Sequence, residues 1–233
     1  MKYGIYYAYW EKEWNGDYKY YIDKISKLGF DILEISCGAF SDYYTKDQEL
    51  IDIGKYAKEK GVTLTAGYGP HFNESLSSSE PNTQKQAISF WKETLRKLKL
   101  MDIHIVGGAL YGYWPVDYSK PFDKKRDLEN SIKNMKIISQ YAEEYDIMMG
   151  MEVLNRFEGY MLNTCDEALA YVEEVGSSNV GVMLDTFHMN IEEDNIAAAI
   201  RKAGDRLYHF HICLLYTFPL PRDISGSSMP SSA

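Results

Sequence analysis

The chain has 233 residues, 45% of them hydrophobic and 25% charged, which is the composition of an ordinary soluble globular protein with one sizeable core. Its net charge of −9 disfavours a nucleic-acid partner, because no basic stripe is available to neutralise phosphates. Three widely spaced cysteines, a start without a signal-peptide core and the absence of any membrane-length apolar run predict a cytoplasmic protein.

Short apolar runs alternate with amphipathic segments along the first half of the chain. The apolar runs predict strands at 4–8, 31–36, 62–67 and 103–108. The amphipathic segments predict helices at 17–28 and 48–60, and a third helix that begins at Pro81. In this third helix, one face carries Ile88, Trp91, Leu95 and Leu98.

The alternation continues after a long loop at 111–124. Helices are predicted at 127–145, from the N-cap Thr164 to Val175, and at 196–203. Strands are predicted at 147–153, 180–184 and 207–211. Strands and helices in strict alternation indicate a parallel α/β sheet, and the lack of a glycine-rich or Walker loop argues against a nucleotide-binding sheet. We therefore predict an α/β fold of the (β/α)8 TIM barrel type, incomplete, with about seven strands present.

The end of the chain differs in composition from the rest. Between 213 and 233 only Arg222 and Asp223 are charged, and serine and proline are frequent. This composition predicts an irregular or disordered tail over 213–233, following a barrel domain over 1–212.

Candidate functional residues lie where barrel strands end, because a barrel enzyme carries its chemistry at the carboxyl ends of the strands. Glu152 ends the fifth strand, Asp185 the sixth and His211 the seventh. Each residue alone is compatible with a capping, surface or structural role. Together, two carboxylates and an imidazole predict a divalent-metal site of mixed oxygen and nitrogen ligands, suited to manganese, cobalt or iron(II).

Four stretches resemble the D-tagatose 3-epimerase and D-psicose (D-allulose) 3-epimerase family, which has a xylose isomerase-like barrel. They are GIYYAYW at 4–10, GGALYGYWPVDY at 107–118, MEVLNRFE at 151–158 and VMLDTFHMNIEE at 182–193. The last two are the most specific, because they are rich in residues that no packing rule requires. The resemblance extends from residue 1 to about 211.

The resemblance implies roles for individual residues. Glu152, Asp185 and His211 resemble ligands of a divalent metal, usually manganese or cobalt, and Glu152 resembles a catalytic acid/base. Tyr6, Trp114, Glu158 and His188 resemble sugar-binding residues of the family. The residues that Glu158 and His188 resemble bind the O1 and O2 end of the ketose. The family's reaction moves the C3 proton by way of an enediolate that the metal stabilises. The implied substrate is a ketose of the D-fructose, D-psicose and D-tagatose class, and the family also implies a homodimer or homotetramer.

The resemblance stops within two or three residues of His211. In the family, a second catalytic glutamate and metal ligand lies at the end of strand eight, and an arginine contacts the substrate. Here Ile212-Cys213-Leu214-Leu215-Tyr216 follows instead, from which we expect a truncation or frameshift, weaker metal binding and impaired epimerisation.

Two alternatives to a ketose 3-epimerase remain at this point. One is a related TIM-barrel sugar isomerase or inosose dehydratase with the same metal-bearing strand ends. The other is an inactive remnant that binds a metal or a sugar without turnover.

Overall fold

The computed structural model describes residues 2–11 and 16–213. Its centre is one parallel seven-stranded sheet, in which each strand pairs with the next strand along the chain. The strands are β1 (Gly4–Tyr6), β2 (Ile32–Ser36), β3 (Thr63–Gly67), β4 (Ile105–Gly108), β5 (Met148–Glu152), β6 (Val180–Asp185) and β7 (Leu207–His211). This sequential order with intervening helices confirms the predicted α/β barrel type.

Eight α-helices lie in the described part of the chain. They are α1 (Tyr18–Leu28), α2 (Ala39–Asp42), α3 (Asp47–Glu59), α4 (Pro81–Leu100), α5 (Lys124–Tyr145), α6 (Cys165–Val175), α7 (Thr186–Glu192) and α8 (Ile196–Ala203). Side-chain caps define several starts: Asp17, Asp123 and Thr164 each accept a hydrogen bond from a backbone N–H in the first turn of α1, α5 and α6. None of these eight helices is both long and apolar enough to cross a membrane.

The hydrophobic core lies between the sheet and its helices. Trp91, Leu95 and Leu98 of α4 are fully buried, as the predicted apolar face requires, and Met149 and Met151 of β5 are equally inaccessible. The sheet is curled, so that side chains of β2 and β7 meet across its interior. This curl brings the carboxyl ends of the strands around one opening.

Three paired glycines leave space inside the curled sheet. Gly67 of β3 pairs with Gly107 of β4, which pairs with Gly150 of β5. A Cβ atom on Gly67 would lie 2.8 Å from a carboxylate oxygen of Glu34, and one on Gly150 would lie 3.2 Å from Cβ of Met183. The missing side chains on β3 to β5 are therefore replaced by groups that reach in from β2 and β6.

The structure departs from the sequence expectations in a few places. The first strand ends at Tyr6, and Tyr7–Tyr9 form a 3-10 turn instead of extending it. The short helices α2 and α7 were not predicted, and His104 precedes β4, although the strand predicted at 103–108 includes it. The predicted irregular tail, apart from Cys213, lies outside the described residues.

Candidate active site

A cavity of about 340 Å³ opens at the carboxyl ends of the strands. Six of the seven predicted site residues line it: Tyr6, Trp114, Glu152, Glu158, His188 and His211. The seventh, Asp185, lies beside the lining residues and is 7% exposed. The structure therefore brings the predicted residues together around one space.

The three predicted metal ligands are the last residues of three adjacent strands. Glu152 ends β5, Asp185 ends β6 and His211 ends β7, and Asp185 is paired with His211 in the sheet. The Nδ1 atom of His211 lies 3.8 Å from Oδ2 of Asp185. The parallel register thus places Asp185 beside His211, and a carboxylate oxygen of Glu152, at the end of the neighbouring strand, lies within 4.8 Å of one on Asp185.

Asp185 has two separate tasks in this geometry. Its Oδ1 atom accepts a hydrogen bond of 2.7 Å from the backbone N–H of Phe187 and so caps α7. Its Oδ2 atom is the one that faces His211. The capping role therefore fixes the carboxylate without using the oxygen that faces the other predicted ligands.

His211 is held from the opposite side by Glu34, which the sequence analysis did not select. The Nε2 atom of His211 lies 3.0 Å from Oε2 of Glu34, and Nε2 of His209 lies 2.6 Å from the same oxygen. Glu34 is 5% exposed. The sequence feature that could have identified Glu34 is its position inside the apolar strand Ile-Leu-Glu-Ile-Ser, because buried strands rarely carry a charge without a partner.

Glu158 and His188, the predicted partners of the ketose, share a neighbour in Asn155. The Nδ2 group of Asn155 donates to Oε1 of Glu158 at 3.0 Å and to Nδ1 of His188 at 2.8 Å, and its backbone N–H donates to the same Nδ1 atom at 3.2 Å. Because a backbone N–H can only donate, Nδ1 of His188 must be an acceptor. A neutral His188 therefore carries its proton on Nε2, which lies 3.7 Å from Oε1 of Glu152.

An ion pair ties the loop after β5 to α7. The guanidinium of Arg156 donates to both carboxylate oxygens of Glu192 at 2.9 and 2.8 Å, and the backbone N–H of Arg156 donates to the same side chain at 2.7 Å. The Glu192 side chain is only 4% exposed. The segment that carries Glu158 is thus fastened to the helix that carries His188.

Two aromatic residues complete the wall of the cavity. Tyr6 is the last residue of β1 and is paired with Glu34 on β2. Trp114 lies in the loop between β4 and α5, where its backbone N–H donates to the carbonyl of Pro70 at 2.8 Å. A Cβ atom on Gly69 would lie 3.0 Å from Cβ of Trp114, so this glycine allows the close approach of the tryptophan.

The charges of the site act on one another because they are buried. Burial raises the pKa of Glu152 to about 8; the charge of His211 opposes this, and the charges of Asp185 and Glu34 add to it. Burial also raises the pKa of Asp185 and lowers that of His188. Two carboxylates that resist ionisation in this way are a setting in which a divalent cation would be strongly stabilising.

Two groups of side chains could hold a metal ion in the described part of the chain. One consists of Glu152, Asp185 and His188, and the other of Glu34, His209 and His211. The predicted set takes its two carboxylates from the first group and its imidazole from the second. His211 links the two groups, because its Nδ1 atom faces Asp185 of the first group and its Nε2 atom faces Glu34 of the second.

Asn155 is a second residue that sequence reasoning missed. It is 1% exposed, although it lies in a loop three residues after the end of β5. An asparagine in a loop is usually a turn residue, so the sequence carried no signal that this one would be buried between two site residues.

Comparison with known proteins places these observations in a family. Residues 22–222 match the xylose isomerase-like TIM barrels. The D-psicose 3-epimerase of Enterocloster bolteae is 60% identical over 212 residues, which cover 91% of this chain and 70% of that protein. The D-psicose 3-epimerase of Ruminiclostridium cellulolyticum is 50% identical over 211 residues, which cover 91% of this chain and 71% of that protein.

Solved structures agree with the sequence relatives. A D-psicose 3-epimerase from Clostridium cellulolyticum, crystallised with D-tagatose, superposes with a TM-score of 0.89 at 50% identity and covers 91% of this chain and 73% of its own. A D-psicose 3-epimerase crystallised in the presence of D-fructose gives a TM-score of 0.90 at 44% identity, covering 97% of this chain and 82% of its own. The chain therefore belongs to the xylose isomerase-like TIM barrels and, among them, to the metal-dependent D-psicose 3-epimerases, a family of carbohydrate isomerases.

Proposed function

We propose that this chain is a ketohexose 3-epimerase of the D-psicose and D-tagatose type, with Glu152, Asp185 and His211 as its metal ligands. The observation that carries the proposal is the position of these three residues at the ends of adjacent strands, next to one cavity. The ketoses bound in structures of the relatives support a substrate of the D-fructose, D-psicose and D-tagatose class.

The donor set fits a divalent cation. Glu152 and Asp185 are carboxylates whose pKa burial raises, and His211 adds one imidazole nitrogen. Mixed oxygen and nitrogen donors favour Mn²⁺ or Co²⁺ over calcium, which prefers oxygen alone. When bound, the cation would polarise the C2 carbonyl of the ketose and so acidify the C3 proton.

Glu152 is the proposed catalytic residue. Its carboxylate borders the cavity, and burial raises its pKa to about 8 in the metal-free protein. In the proposed reaction, this carboxylate would take the proton from C3 of the bound ketose. The carbonyl oxygen of Glu152 accepts a hydrogen bond of 2.9 Å from the hydroxyl of Tyr111, which fixes the end of β5 during that transfer.

The remaining predicted residues bind and orient the sugar. Glu158 and His188, held together by Asn155, would bind the O1 and O2 end of the ketose through hydrogen bonds. Tyr6 and Trp114 provide the apolar wall against which the carbon skeleton packs. Orientation by these four residues would place C3 within reach of Glu152.

A sugar-binding protein without turnover is the second candidate. The network of Asn155, Glu158 and His188 is complete in the described residues, so a ketose can be bound there independently of the proton transfer. The second proton-transfer residue that the resemblance assigns to strand eight is not among residues 2–11 and 16–213, and the chain spans 70% of the E. bolteae relative. This candidate therefore differs from the first in turnover alone.

One assay separates the two candidates. The purified chain is incubated with Mn²⁺ and D-fructose, and D-psicose is measured by chromatography. We expect it to form slowly, in line with the impaired epimerisation expected from the sequence, and Glu152→Gln to abolish its formation. Bound manganese and bound ketose without any product would contradict the enzyme and support the binding protein. Full turnover in Glu152→Gln would remove Glu152 from the mechanism.

We also propose a cytoplasmic location and a homodimer or homotetramer. Cys37 and Cys165 are buried free thiols, which supports a reducing compartment. The homodimer or homotetramer is the assembly that the resemblance to the ketose 3-epimerases implies. Light scattering on the eluting protein measures its mass, and a monomer at all concentrations would contradict the oligomer.

A further inference from the structure

Glu34 is a buried carboxylate with several donors on a single oxygen. Its Oε2 atom lies 2.6 Å from Nε2 of His209, 3.0 Å from Nε2 of His211 and 3.4 Å from the hydroxyl of Thr65. The strands that carry these partners are β7 and β3, so Glu34 on β2 connects both sides of the curled sheet. None of the sugar or metal roles above uses this residue.

The charge on Glu34 fixes the protons of its histidine partners. Nε2 of His209, Nε2 of His211 and the hydroxyl of Thr65 all lie around the same oxygen, Oε2, so the contacts of Glu34 are those of a carboxylate that accepts from several donors. An ionised carboxylate only accepts hydrogen bonds. Nε2 of His211 therefore carries a hydrogen that points at Glu34.

The other ring nitrogen of His211 faces the proposed metal ligands. Nδ1 lies 3.8 Å from Oδ2 of Asp185, on the opposite side of the ring from Glu34. A neutral imidazole with its hydrogen on Nε2 has its lone pair on Nδ1. The hydrogen bond to Glu34 thus selects the tautomer whose lone pair points toward Asp185.

The surroundings hold the ring in this orientation. His209 packs edge-on against His211, with ring centroids 4.9 Å apart and an angle of 68° between the planes. Space for the Glu34 carboxylate exists because residue 67 is glycine, since a Cβ atom there would lie 2.8 Å from Oε1. The arrangement therefore depends on groups from three strands.

We propose that Glu34 is a positioning residue for the metal site, which holds His211 so that Nδ1, and not Nε2, binds the divalent cation. This inference rests on the metal site proposed above. Partners of this kind orient a ligating imidazole and increase its basicity, and their loss typically weakens metal binding by about 10- to 100-fold.

The same three side chains could instead bind an ion among themselves. For that, Nε2 of both histidines would have to present a lone pair, whereas both lie at hydrogen-bond distance from one oxygen of Glu34. An ion between these atoms would have to break both hydrogen bonds. We therefore favour the positioning role and make the alternative an outcome of the test.

The test compares the full chain with Glu34→Gln, which keeps the side-chain volume, and with the matched control Thr65→Val, which removes only the weakest of the hydrogen bonds to Glu34. Calorimetry measures Mn²⁺ affinity. NMR of the cadmium-loaded protein, labelled with nitrogen-15 in histidine, identifies the ring nitrogen that is coupled to the metal.

We expect the unmodified chain to show coupling through Nδ1 of His211. Glu34→Gln should bind Mn²⁺ about 10- to 100-fold more weakly, with Thr65→Val close to the unmodified chain. Coupling through Nε2 of His211 or His209 would overturn the inference in favour of an ion at Glu34. Unchanged affinity in Glu34→Gln would also overturn it, even if that variant is less stable.

The outcomes also separate this inference from the proposed function. If the unmodified chain binds neither Mn²⁺ nor cadmium, the metal site itself is wrong and the role of Glu34 is overturned with it. If the metal binds through Nε2, or Glu34→Gln binds it normally, the metal site stands and only the role of Glu34 is rejected.

Discussion

Replacement of Asn155 by alanine tests how the polar side of the cavity is held in place. The amide of this buried residue makes three hydrogen bonds: to Oε1 of Glu158 at 3.0 Å, to Nδ1 of His188 at 2.8 Å, and from the backbone N–H of Phe157 at 2.9 Å. At about 1 kcal/mol net for each bond, we expect the free energy of unfolding to fall by about 2–4 kcal/mol.

Asn155→Ala should also weaken the binding of the substrate more than it slows the chemical step. Without the amide, Glu158 and His188 lose the neighbour that fixes their separation, although the backbone N–H of residue 155 still donates to His188. If both side chains bind the ketose equally in its ground and transition states, KM for D-fructose rises more than kcat falls.

Urea unfolding in the presence of a chelator measures the stability loss without a metal contribution. Asn130→Ala is the matched control, because it removes one long hydrogen bond of 3.4 Å to the carbonyl of Ser77, and should cost less than about 1 kcal/mol. A free energy of unfolding for Asn155→Ala within about 0.5 kcal/mol of the unmodified chain would refute the reasoning.

Three further predictions concern the interior, the pH dependence and the metal. Gly67→Ala should lower the free energy of unfolding by about 1–3 kcal/mol, because the added Cβ would lie 2.8 Å from Oε1 of Glu34. The control Gly38→Ala should be tolerated, because the nearest atoms to its added Cβ would lie at 3.4 Å. Urea unfolding compares the two variants. In the chelated protein, thermal unfolding should show stability falling as pH rises from about 6.5 to 9. Burial raises the pKa of Glu152 from 4.5 to about 8, so the contribution of its protonated form is lost as pH rises to about 8. For His211, burial lowers the pKa, but its hydrogen bond to Glu34 and the nearby carboxylates raise it from 6.5 to about 9, so the contribution of its charge is lost between about pH 6.5 and 9. A flat profile would contradict both assignments. Adding Mn²⁺ at about 100 times its dissociation constant should stabilise the folded chain by about 2.7 kcal/mol, and an unchanged melting temperature would contradict a metal site.

The strands and long helices could be predicted from the sequence because burial leaves a clear pattern. The apolar runs gave β2 to β7 within a few residues, and the face of α4 with Trp91 and Leu95 is buried as expected. The helix α7 could not be found in this way, because its seven residues from Thr186 are too few to show a period. Its start is determined by the cap from Asp185, a residue that the sequence analysis interpreted as a strand end.

The site was predictable in part. Strand ends and specific motifs identified Glu152, Asp185 and His211, whose positions at the ends of β5 to β7 agree with the barrel rule. Glu34 and Asn155 were missed, because their importance comes from contacts across the barrel and between loops. Glu34 meets His209, which is 175 positions away, and no periodicity within one element can indicate such a contact.

The ion pair between Arg156 and Glu192 has a consequence for altering the range of sugars. It fastens the loop of Glu158 to the helix of His188, and Asn155 joins the two from inside, so the two segments are tied together at two points. A single replacement there would disturb both side chains at once. Trp114 lies in a separate loop, between β4 and α5. Variants that accept differently shaped ketoses should therefore be sought first at Trp114, which is not one of the residues of that linkage.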